Sequence, residues 1–253
     1  MNKTKVEGFE KWLMDFRRIL ADPGQNKKLS PLHSLAWSIS VHKEELINNP
    51  DKTRQLLEVI RALRESNGSG RQATERQLMK FLAYLVMDGC QRLGKEGNGK
   101  FLKRDDFSML TEKLQPVFEI IQQICHYAVD CFHFRRPRDS SGGRRRALAF
   151  EIFSVAGEKL DLPGAVSLAC EALQKKDSQE AAEAAAFLEE YCGARKTSPD
   201  PQTVKALKGL ADRTGSHTIA MSALNALVQT GEMSEMGALI KIEDWKEKRW
   251  RDC

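Results

Sequence analysis

No run of about 18 consecutive apolar residues occurs in the chain, so no membrane-spanning helix is expected. Strand patterning is missing too: no convincing alternation of apolar and polar residues is found, which argues against a half-buried sheet. Aromatic residues are scarce, at 7%, while leucine and alanine are abundant. The opening residues, MNKTKVEGFEKWLMDF, are charged and amphipathic and lack an apolar h-region, so a secretory signal is not expected. Cys-x-x-Cys is absent. The six cysteines (Cys90, Cys125, Cys131, Cys170, Cys192, Cys253) lie mostly in apolar helical patterns, where a thiol acts as a small hydrophobe. This usage points to a reducing, intracellular setting, cytoplasmic or nuclear, rather than to a disulfide framework.

Catalytic signatures are lacking as well. There is no nucleophile elbow, no His-Glu-x-x-His, and no glycine-rich phosphate loop ending in Lys-Ser/Thr. The nearest pattern, Gly94-x-x-Gly97-x-Gly99-Lys100, has neither the spacing nor a preceding strand. Neither an enzyme nor a cofactor is expected.

What remains is a chain of 253 residues, 41% apolar and 30% charged, which fits a folded protein of one large domain or two modest ones. Its charge is uneven. Residues 1–150 carry a net +9 and residues 151–253 a net −4. The first portion suits an acidic partner, nucleic acid included, and the second does not.

Helical periodicity runs almost throughout. Helices are expected over about 6–21, from Ser30-Pro31 to Asn49-Pro50, and over about 51–66, 71–93 and 108–134. Asp22-Pro23-Gly24 ends the first, and Gly94 the fourth. Pro116 predicts a break or kink inside the last. Residues 135–146 (RRPRDSSGGRRR) read as a connector, with six arginines and two glycines. The expected organisation is therefore a helical bundle over 1–134, a basic connector over 135–146, and a second helical domain over 147–253.

That second domain carries an internal repeat. Residues 163–193 align on 201–231 with a shift of 38, matching Pro163 to Pro201, Val166 to Val204, Ser178 to Ser216, Ala182 to Ala220, Ala185 to Ala223 and Gly193 to Gly231. The period predicts helix pairs, at about 163–176 with 178–192 and at about 201–213 with 216–230, joined by short polar turns. A helix over about 147–159 leads in, and one over about 234–249 follows, with Ile242 in register with Val166 and Val204.

With proline opening the first helix, a short polar turn and an alanine-rich second helix, the region resembles HEAT or armadillo α-helical repeats. The resemblance implies a non-catalytic scaffold that holds partners. The fold class expected is all-α, a bundle followed by a short HEAT-like array of antiparallel helix pairs.

Candidate sites are few. Arg135, Arg136, Arg138, Arg144, Arg145 and Arg146 form the strongest local signal, because guanidinium groups take phosphates bidentately. Phe132, His133 and Phe134 upstream could add base stacking. The competing readings are a solvated linker, an acidic protein partner, and phosphorylation at Ser140 and Ser141 beside the arginines. Cys125, His126, Cys131 and His133 suggest a metal cluster, yet on one helix the two histidines stand roughly 10 Å apart, too far for one zinc. Asp105, Asp106, Glu112 and Asp130 have no metal-ligand spacing. Trp245 and Trp250 are either interface anchors or a cap over the end of the core. The function expected is a non-enzymatic adaptor that binds another protein through its helical faces. The alternative is an RNA- or DNA-binding or packaging protein, of the viral or mobile-element structural kind, using the basic first 150 residues.

Overall fold

The structure is a computed structural model, and it describes residues 8–21, 30–65, 69–96, 112, 114–134, 142–157, 160, 162–174, 179–195 and 200–251. Among the described residues every regular element is helical, and the fold is all-α. Two compact units are present, Met1–Tyr127 and Ala128–Cys253.

The first unit contains α1 (Phe9–Ala21), α2 (Ser30–Ser38), α3 (Lys43–Ile47), α4 (Pro50–Glu65), α5 (Ser69–Glu96) and the larger part of α6 (Gln115–His133). Helix α1 buries Phe9, Trp12, Leu13 and Phe16, the stripe its spacing demands. The Trp12 indole donates to the Leu35 carbonyl at 2.8 Å, which fixes α1 against α2. Lys52 bridges Glu10 and Glu45, both at 2.8 Å, and so ties α4 to α1 and α3. Helix α5 packs on α2 and α4, and its glycine Gly89 faces α6. A Cβ there would stand 2.9 Å from the Ile121 Cδ1, so the missing side chain permits that close approach.

The single helix expected over 30–49 is broken. A 3-10 turn, Ile39–His42, separates α2 from α3. The cause is local. Ser38 and Ser40 donate their hydroxyls back to the carbonyls of Leu35 and Trp37, at 2.8 and 3.3 Å, in a segment that also carries the β-branched Ile39 and Val41. Helix α5 runs past Gly94 to Glu96. Pro116 makes no kink, because α6 begins at Gln115 and a proline in the first turn lacks only an N–H that has no helical partner.

The second unit contains the end of α6, then α7 (Gly142–Gly157), α8 (Pro163–Leu173), α9 (Gln179–Arg195), α10 (Pro201–Arg213), α11 (His217–Gln229) and α12 (Glu235–Arg251). Helix α8 pairs with α9, and α10 with α11. The first helices, α8 and α10, lie side by side. So do α7, α9 and α11. Polar ties recur at each step. Between α8 and α10, Cys170 Sγ meets Thr203 Oγ1 at 2.7 Å, and Arg213 donates to the Leu173 carbonyl. Between α9 and α11, Asn225 donates to Glu189 at 3.1 Å. Between α7 and α9, Arg146 meets Glu180 at 2.7 Å.

Helix starts follow the sequence signals. Pro163 and Pro201 each open a helix, where the lost N–H costs nothing. Asp200 caps α10, accepting from the backbone of Gln202 at 2.9 Å and Thr203 at 3.1 Å. The Thr203 hydroxyl, with these two N–H groups, holds the Asp200 carboxyl below the usual carboxylate range. Its contribution is present at neutral pH and is lost as pH falls through the lowered value. Asp200→Ala should cost about 1 kcal/mol, read by urea denaturation at neutral pH, and the cost should shrink in acid.

Candidate functional site

The basic run separates into parts. Arg135, Arg136 and Arg138, with Ser140 and Ser141, lie outside the described residues. From Gly142 the chain is the first turn of α7 rather than a connector. Arg144 is exposed. Arg145 is 2% exposed, with its guanidinium 5.3 Å from the centroid of the Phe134 ring. Arg146 is paired with Glu180, itself 1% exposed. Arg145 and Arg146 therefore hold α7 in place. The sequence did not reveal this, because a run of like charges gives no sign of which members turn inward. Phe132 packs edge-on against Phe150 at 4.8 Å and belongs to the core, whereas His133 is exposed.

The candidate metal residues are scattered. Cys125 and Cys131 are buried, while His126, Glu112 and Asp130 are exposed. Burial pushes the Cys125 thiol far above its ordinary value, so it stays protonated. Asp105 and Asp106 lie outside the described residues, as do Gly97, Gly99 and Lys100. Among the described residues no three metal-ligating side chains are gathered. No described helix is long and apolar enough to cross a membrane.

What the fold does assemble is a face on the α7–α9–α11 layer. Helix α9 packs against α7, α8 and α11, and it keeps one outward stripe: Ala182, Glu183, Ala186, Glu189 and Glu190. The spacing is i, i+3/i+4, i+7, one side of a helix. Flanking it, α7 exposes Glu151, with Arg144 two turns earlier, and α11 presents Ser222 and Asn225. The surface is thus acidic with small residues between the charges.

These carboxylates act on one another. Burial, then the charges of Glu151 and Glu190, raises the Glu183 carboxyl above its ordinary range. Burial and Glu190 raise Glu189, against the lowering effect of the Asn225 amide. A raised carboxyl binds its proton more tightly folded than unfolded. The charge therefore opposes folding above the raised value, and the penalty disappears below the unfolded one. A cation placed on this face would offset that repulsion.

No family model matches the chain, and comparisons with curated proteins and with solved structures give no match.

Trp245 lies on α12 and is half-buried. Its indole N–H donates to the Thr214 carbonyl at 3.1 Å, and its ring stands 5.6 Å from that of His217. It covers the turn that joins α10 to α11. The Trp250 side chain lies outside the described residues. The sequence reading missed the acidic stripe. The signal was there in the spacing of Glu183, Glu189 and Glu190, but whether that side faces solvent depends on which helices flank α9.

Proposed function

We propose that this chain is a non-enzymatic helical scaffold that holds another protein on the α7–α9–α11 layer, through a basic segment of that partner. The observation that carries the reading is the Glu151, Glu183, Glu189 and Glu190 surface, with two carboxyls raised by burial and mutual repulsion. The side-by-side packing of α8 with α10 and of α9 with α11 supports a HEAT-like reading of the pairs. Such stacks offer extended surfaces to partners. Ala186 between the charges leaves room for a partner backbone to approach. Reversing Glu183 and Glu190 to lysine should lower partner capture at least tenfold and remove its salt sensitivity, because buried-rim charges steer and hold complementary partners. Capture that is unchanged by the reversal counts against the reading.

Nucleic-acid binding is the second reading, favoured by the net +9 of residues 1–150. A salt-dependent gel shift with RNA or duplex DNA would support it. Arg144→Ala is the clean probe among the three arginines of α7. Alanine at Arg145 or Arg146 would remove core contacts as well as charge.

A further inference from the structure

We infer that the outward stripe of α5 is a docking site for an amphipathic helix of a partner protein, apolar in the middle of its contacting face and acidic at both ends. This site is separate from the α9 surface and lies in the first unit. Helix α5 packs on α2, α3 and α4, with Gly89 against α6, so most of its circumference is enclosed. From Gly70 to Lys95 its only exposed side chains are Lys80, Tyr84, Met87, Gln91 and Lys95. They follow one another at steps of four, three, four and four residues. That is a single file along one side of the helix, at the spacing by which one helix packs against another.

The chemistry of the file decides the partner. A solvated helix face is filled by glutamate, lysine and glutamine. The middle of this one is a tyrosine, 61% exposed, and a methionine, residue types that gather at protein interfaces. Trp37 on α2 and Val41 on the 3-10 turn that follows it are exposed as well. A lysine closes the file at each end, and Lys80 and Lys95 stand about 22 Å apart along the axis. Among the described residues neither lysine has an ion-pair partner. The carboxylates bordering the file are already matched. Asp88 meets Lys43 at 3.4 Å and Arg92 at 2.8 Å, and Glu44 meets Arg92 at 2.9 Å. The uncompensated charge along the file is therefore positive and sits at its ends. A helix laid on it meets the lysines with acidic residues about four turns apart, and covers Tyr84 and Met87 with an apolar middle. A nucleic acid would answer the lysines and stack on Tyr84, but Met87 offers it nothing, so a helix is favoured.

The test displays helical peptides of about 18 residues, randomised along one face, to the full chain. Peptides bound by the parent but not by Tyr84→Asp with Met87→Asp are kept, and their affinities are measured by fluorescence anisotropy. Both side chains are exposed, so this double variant should keep the parent's thermal midpoint. The kept peptides are expected to be apolar in the middle of one face and acidic at both ends. Lys80→Glu with Lys95→Glu should weaken them about tenfold, and peptides with lysine in place of the terminal acids should bind that variant more tightly than the parent. No peptide surviving the counter-selection overturns the proposal. So do survivors without acidic ends, or a failure of the charge swap to restore binding. A single-stranded RNA that binds the parent and is lost in Tyr84→Asp with Met87→Asp, where no peptide survives, assigns the face to nucleic acid and overturns it equally. Reversal of Glu183 and Glu190 should leave peptide binding here unchanged, so failure of the α9 reading and failure of this one are distinguishable.

Discussion

Phe187→Ala is expected to destabilise the second unit by about 3–5 kcal/mol, the cost of removing a buried phenylalanine from a packed core. Phe187 is completely buried on α9, and rings gather around it. Phe150 lies 6.0 Å away, Phe153 6.1 Å and Tyr191 5.2 Å, centroid to centroid. Stacked and tilted ring contacts of this kind add to the area buried. Gly157 at the end of α7 belongs to the same cluster. A Cβ there would sit 3.1 Å from the Tyr191 ring and 3.3 Å from that of Phe187, so the neighbours fit closely and collapse into a cavity is resisted. Phe187→Leu should retain most of the stability. Urea denaturation followed by circular dichroism measures both. A loss below about 1 kcal/mol for alanine would show that the α7–α9 contact is not packed as described.

Arg146→Met should cost roughly 3 kcal/mol, since it takes from Glu180 a cation partner at a site where the carboxylate is almost wholly enclosed. The double variant Arg146→Met with Glu180→Leu should recover most of that loss, because an apolar pair of similar volume can replace a buried ion pair with little penalty. The double-mutant cycle isolates the coupling. Coupling below about 0.5 kcal/mol would mean that the pair contributes no more than an exposed surface bridge.

This pair also shows where sequence reading stops. Residues 135–146 look like a connector because arginine is normally solvated and glycine breaks helices. Helix α7 nonetheless begins at Gly142, since Arg145 finds an aromatic face and Arg146 a buried carboxylate 34 positions further on. Such partners are invisible until the helices pack. The shift of 38 was legible, because proline at two helix starts and small residues on the buried sides of α9 and α11 are local requirements. Ala185 and Ala223 are both buried, as the alignment suggests. The shared glycine is less uniform. Gly231 adopts φ 73° and ends α11, whereas α9 runs through Gly193 to Arg195. Gly193 serves the close approach of α11 instead, with a Cβ there meeting the Gln229 side chain at 3.3 Å. The acidic face was not legible. A helix rich in alanine and glutamate fits several orientations, and only its packing between α7 and α11 selects the outward side.

Photo-crosslinking from the α9 stripe tests the central claim most directly. A photoreactive residue at Ala186, between Glu183 and Glu190, is irradiated in native extract of the protein's own cells. The account predicts one discrete protein adduct that resists nuclease and disappears when Glu183 and Glu190 are reversed to lysine. An adduct that nuclease removes, or no adduct above that given by the same probe at the exposed Met14 of the first unit, would contradict it.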